Sequence, residues 1–280
     1  MKLKWATKVP RLHALLGMAF DADHVHVVAV SRAKDRLAAG KSVDAALTLP
    51  LTNSDPASVG REIRALLDAA DIRERNCVVS LPPQWIMTHA VRVPMKLSGP
   101  DLDGFLQIEA EKGFPYDPHE LQIARAVSQS SAGDWVTLFG VRRTQLEHLN
   151  TVMTAAGLQP VSYTLGLPAL ADTIPPAGRG RITVVTAGGI TTMALAAGGG
   201  LMAFRTSASR EAAAVVRELR ITLEQIPAEL RGELHDVWLA GDGSFADAIS
   251  AWTQTAGLVL LQPDAKAPAS GRGGCPSGTR

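Results

Sequence analysis

Residues 182–204 run for 23 positions without a single charge, which leaves the chain two ways to fold them. One is a membrane-spanning helix, since about 20 apolar residues cross a bilayer. The other is a set of buried strands. Five glycines and four threonines within the run favour strands. Gly188-Gly189 and Gly198-Gly199-Gly200 divide it into strand-length pieces, with turns where the glycines fall. The expectation is a meander over residues 181–186, 191–197 and 201–205, and no membrane span.

The rest of the chain reads in the same alternating way. Residues 12–18 and 25–30 are expected as a hairpin turning at 20–23, with a third strand at 45–51. His24 and His26 lie two apart on one strand face, a spacing a metal site can use. No cysteine is near them, and Asp21 and Asp23 are needed by the turn, so exposed histidines are the simpler reading. Asp55-Pro56 opens a helix as N-cap and first residue, with Ile63, Leu66, Leu67 and Ala70 as its buried stripe. Residues 76–81 are uncharged and centred on Cys77, Val78 and Val79, which predicts a strand buried on both faces.

A strand at 86–93 leads to a helix capped by Ser98, with Leu102, Phe105, Leu106, Glu109 and Gly113 on one face. Glu109 and Glu111 stand about 200° apart on that helix and cannot act as one carboxylate pair. Phe114-Pro115 ends it, and strands follow at 121–127 and 135–141. Thr144 to Glu147 reads as a capping box for a helix stopping at Gly157. A strand at 158–164, a short helix at 167–173 and a loop at 175–178 close the first part. After the glycine-divided meander come a helix at 211–226, a strand at 237–240, a helix holding Phe245, Ile249 and Trp252, and a strand at 258–261. Residues 263–280 are rich in Ala, Pro, Gly and Ser and are expected to be disordered.

Two three-stranded openings, each followed by helices and further strands, make a weak internal duplication of α/β class. With 28 basic against 27 acidic residues the net charge is +1, so no global field draws the chain to nucleic acid or lipid. Cys77 and Cys275 are not expected to pair, which suits a reducing compartment. Residues 1–13 are basic but lack the apolar core of a secretory signal. No Walker loop and no G-x-S-x-G elbow is present.

Leu81-Pro82, Val91-x-Val93-Pro94, Ile108-Glu109-Ala110-Glu111 and Phe114-Pro115-Tyr116 together resemble the PilM family of type IV pilus assembly proteins. Their order and spacing carry the likeness. The sequence departs from the pattern at Ile108, where the family usually has Trp, and at 112–114. More distant resemblances are to MshI-like pilus proteins, FtsA and the cytoplasmic half of GspL. The likeness spans residues 14–262 and is weakest at 205–236.

That resemblance implies an actin-like, ribonuclease H-like duplicated fold. The first half would be 1–81 completed by 164–178, with an inserted small α+β subdomain at 82–163. The second half, 179–262, would lack most of its outer subdomain. It also implies a cytoplasmic scaffold, peripheral to the inner membrane, that binds the short tail of a single-pass PilN-like protein, with self-association as a further possibility. Glu109, Glu111, Phe114 and Pro115 would lie near that contact.

Members that use ATP with Mg²⁺ place an Asp in each of two hairpin turns. Here those positions are Ala19 and Thr186, so the expectation is a pseudo-ATPase with no cofactor and no metal. Any vestigial nucleotide contact would fall to Gly17, Gly188, Gly189, Thr191, Thr192, Gly241 and Gly243. The alternatives are an active actin-like ATPase and the cytoplasmic part of a GspL-like protein.

Overall fold

The computed structural model describes residues 14–21, 24–33, 36–94, 97–130, 133–166, 179–187, 189–209, 211–241 and 245–262. The expected helix at 167–173, the loop at 175–178 and the tail after 262 lie outside them. The chain divides into two compact units, Met1–Ser80 with Asn150–Thr164, and Leu81–Leu149 with Leu165–Arg280.

The first unit is built on a five-stranded sheet in the order β3-β2-β1-β4-β8. β1 (Ala14–Asp21), β2 (His24–Ala33) and β3 (Arg36–Ala46) form an antiparallel meander. β4 (Asn76–Ser80) and β8 (Gln159–Thr164) then add in parallel. Side chains alternate along β1: Leu16, Met18 and Phe20 are buried, while Gly17 and Ala19 face the other way. β4 alternates too, with Cys77 and Val79 buried and its neighbours half-buried, which corrects the expectation of burial on both faces. α1 (Pro56–Ala69) starts where the sequence indicates. The Asp55 carboxylate accepts hydrogen bonds from the Ser58 N–H and hydroxyl, which holds its pKa below the ordinary value. Gly60 of α1 meets Val152 and Ala155 of α3 (Arg143–Ala155), where an added Cβ would come within 2.5 Å of the Ala155 methyl.

The third strand differs from expectation. Residues 47–51 leave the sheet as a turn, although Leu47 and Leu51 are buried at 5% and 3% exposure. Glu62 of α1 ties this turn down by accepting from the Thr48 N–H and hydroxyl and from the Leu49 N–H. Burial pushes the Glu62 carboxyl up, but these hydrogen bonds outweigh it and leave the pKa lowered.

The second unit repeats the pattern. Its sheet runs β11-β10-β9-β12-β13, again a meander followed by two parallel strands. β9 (Gly180–Ala187), β10 (Ile190–Ala197) and β11 (Gly200–Ser207) are the uncharged run, folded as three strands. Among the described residues no helix is long and apolar enough to cross a membrane. α4 (Ala212–Glu224) and a single turn, α5 (Ala228–Arg231), are the helices described between β11 and β12 (Leu234–Gly241). The second half is thus reduced, as its short connection implies. α6 (Ala246–Ala256) ends at Gly257 in the left-handed conformation and leads to β13 (Val259–Leu261). Ile182, Val184, Met193, Leu195, Val215, Leu219, Ile249 and Trp252 belong to one core.

The same unit carries the insertion, a three-stranded sheet β5-β7-β6 with α2 (Gly99–Gly113). Its strands are β5 (Met87–Arg92), β6 (Leu121–Ser130) and β7 (Gly133–Arg142). Its own core is Leu106, Ala110, Phe114, Leu121, Val136 and Leu138. Trp135 instead enters the core of the second sheet. The Thr88 hydroxyl of β5 donates to the Phe204 carbonyl and accepts from its N–H, at 3.3 and 3.2 Å, bonding the backbone of edge strand β11. The architecture is an α/β, actin-like duplication with an inserted α+β subdomain.

Candidate functional site

In open parallel sheets the carboxyl ends of the strands gather the chemistry, so the residues there define the first candidate site. β1, β4 and β8 bring Ala19, Ser80 and Thr164 to one end, with Ser80 paired to Thr164 in register. With Gly17, Val28 and Asp44 they line an open concavity of about 490 Å³ on one face of the first sheet. Asp44 is the carboxylate among its lining residues, and its Oδ1 lies 3.2 Å from His26 Nδ1. The Ala19 side chain offers a cation no oxygen, and Ser80 and Thr164 offer neutral hydroxyls. Sequence reasoning singled out Gly17 and Ala19 here but missed Ser80 and Thr164. The available signal was the parallel order of β1, β4 and β8, which lists strand-end residues directly.

Gly17 sits opposite Val28, where an added Cβ would lie 3.3 Å from a Val28 methyl. His24 and His26 stack at 6.3 Å. Among the described residues no group of three or more His, Cys, Asp or Glu side chains is arranged to hold a metal. Cys77 is fully buried, and burial pushes its thiol up to about 11, which keeps it neutral.

The second candidate site is the turn between β9 and β10. Gly189 occupies it with φ of 77°, while Gly188 lies outside the described residues, as does Gly243. Thr186, Thr191 and Thr192 are all buried. The Thr186 hydroxyl donates to the Ala240 carbonyl at 3.4 Å. Gly241 pairs with Thr186 in register at φ of 111°. A Cβ on it would overlap the Thr186 carbonyl oxygen. Close backbone packing thus explains this glycine without any ligand.

The third is the segment around α2. Glu109 is bound by Lys112 Nζ at 2.9 Å, which holds its carboxyl below the ordinary range, with His89 Nε2 3.8 Å away. Glu111 is exposed on another side of the helix. Phe114 is buried at 6% exposure in the core of the insertion and meets the His89 ring edge-on at 6.4 Å. A side chain on Gly113 would run into that ring. Pro115 and Tyr116 are exposed, and the Arg142 guanidinium lies 4.9 Å over the Tyr116 ring. Of the four residues expected near a partner, Glu111 and Pro115 therefore present surface, Glu109 is engaged locally, and Phe114 is core.

Residues 17–197 match the family described as type IV pilus assembly protein PilM. Among solved structures the chain is similar to the PilM–PilN type IV pilus biogenesis complex. The likeness has 21% identity and a TM-score of 0.72, over 90% of this chain and 88% of that one. It is also similar to the cytoplasmic domain of EpsL, an inner membrane component of the type II secretion system of Vibrio cholerae. There the identity is 13% and the TM-score 0.54, over 81% and 82% of the two chains. A Bacteroides thetaiotaomicron protein with an actin-like ATPase fold matches at 10% identity and a TM-score of 0.51, over 89% and 90%. No curated protein matches the sequence.

Proposed function

The chain belongs to the type IV pilus assembly protein PilM family, and on that premise we propose that it is an actin-like scaffold which does not hydrolyse ATP. It works at the cytoplasmic face of the inner membrane and binds the short tail of a single-pass PilN-like protein. The observation that carries this reading is the family match itself, which takes in β1 from Gly17 onward and the α2 segment. The similar solved structure is a PilM–PilN complex, which supports the partner class. Affinity capture from membranes tests it. A single-pass inner-membrane protein is expected with the bait, and the bait should leave the membrane fraction when that protein's gene is deleted. A folded bait that recovers no such protein would sink the reading.

The pseudo-enzyme part rests on Ala19 and Thr186. Phosphoryl transfer depends on metal ions that neutralise the phosphates, and neither position supplies a carboxylate to hold one. Calorimetric titration with ATP and Mg²⁺ is expected to give no saturable heat, and incubation to release no phosphate. Saturable binding together with phosphate release would show an active actin-like ATPase instead.

A further inference from the structure

The concavity on the first sheet carries a chemistry that the scaffold reading leaves unused. All the residues that line it belong to one compact unit. Asp44 and His26 stand on its β3–β2 side, and Ser80 and Thr164 on its β4–β8 side. Gly17 and Ala19 of β1 make the floor between them. These positions form one row across the sheet. Asp44 pairs with His26, His26 with Ala19, and Ser80 with Thr164. Ala19 and Ser80 each follow the registered pair Met18 and Val79.

The row is made of acceptors. Among the described residues that line the concavity none is Lys or Arg, so nothing there is built to neutralise a phosphate or a carboxylate. The Asp44 side chain is 73% exposed, and its Oδ1 meets His26 Nδ1. A neutral imidazole that donates through Nδ1 keeps Nε2 as an acceptor. The Ser80 and Thr164 hydroxyls have no hydrogen-bond partner among the described residues, and a hydroxyl accepts at its lone pairs. Asp44 on β3 and Ser80 on β4 lie three strand spacings apart, about 14 Å. One metal ion cannot collect ligands over that span. Two N–H donors can, with roughly 9–12 Å between them once a hydrogen bond is allowed for at each end. The small floor residues then leave room for the chain that joins the donors.

We propose that this concavity binds a linear polyamine. One ammonium sits against Asp44 and His26, the methylenes lie over Gly17 and Ala19, and a second ammonium donates to Ser80 and Thr164. Charge and length together select the ligand. An anion finds no cation in the lining, and a lysine side chain carries a single ammonium, which leaves one side of the row unfilled. The site is independent of whether the chain binds a membrane protein.

Calorimetric titration of the full chain with spermidine at fixed ionic strength tests this, since constant salt removes general screening from the comparison. Saturable binding is expected, with one spermidine per chain. Asp44→Asn, at a mostly exposed position, should weaken it about fivefold or more at an unchanged melting temperature. Ala19→Leu, which fills the floor, should abolish it. An eight-carbon diamine should bind about tenfold more tightly than a four-carbon one of the same charge, because only the longer reaches both sides of the row. Three results would overturn the proposal. One is no saturable heat with spermidine at millimolar concentration. Another is binding that Asp44→Asn leaves unchanged, a test that stands even where Ala19→Leu lowers the melting temperature. The third is a dilysine peptide that displaces spermidine with higher affinity, which would place the ammonium groups on a protein partner.

Discussion

Gly241→Val is expected to cost about 2–6 kcal/mol of stability and to lower the melting temperature by roughly 5–20 °C. Two effects add. The backbone at 241 has φ of 111°, which a β-branched residue enters only under strain, and the new Cβ would overlap the Thr186 carbonyl oxygen. Thr186 cannot easily yield, because it is buried and paired with both Thr191 and Gly241. A nucleotide-contact role makes a different prediction, namely a folded protein that has lost only a ligand. Thermal unfolding by circular dichroism separates the two. An unchanged melting temperature would mean that the end of β12 is not packed against β9 in this way.

Phe114→Ala is expected to cost about 3–5 kcal/mol, in the range for emptying a buried aromatic site. Phe114 shares its core with Leu106, Ala110, Leu121, Val136 and Leu138, so the cavity would open where α2 meets its sheet. Pro115→Ala, one residue on and exposed, should stay within about 0.5 kcal/mol of the parent. The contrast matters for partner mapping. A Phe114 variant would lose binding by loosening the insertion, whereas Glu111→Lys and Pro115→Ala probe the surface itself. Equal stability of the Phe114 and Pro115 variants, measured in urea, would contradict the packing described here.

Elements with a strong apolar period were legible in the sequence. The uncharged run became β9, β10 and β11, and Asp55-Pro56 and Gly257 bound their helices as their chemistry requires. β3 was not legible. It is an edge strand with exposed residues along most of its length, so it carries no period, while the apolar pattern just after it belongs to a turn whose leucines are buried. Tertiary context overrides pattern at such places. At the candidate site, Gly17, Ala19 and Thr186 were singled out only through the resemblance to the family's two turns. Ser80 and Thr164 emerged only with the parallel order of their strands. The family resemblance puts Phe114 near the partner contact, but its neighbours on the sheet make it core.

The bond from Thr88 to Phe204 joins residues 116 positions apart, which gives the protein a vulnerable moment during translation. The insertion is complete once Arg142 has been made, yet the strand whose Met202 meets Ser128 and whose Phe204 binds Thr88 arrives about 60 residues later. At ribosomal speed that is roughly 3–12 s during which the face bearing Trp135, Thr137 and Ser128 has no cover. A nascent-chain chaperone would find its target there, and slowing synthesis between codons 142 and 200 would lengthen the exposure.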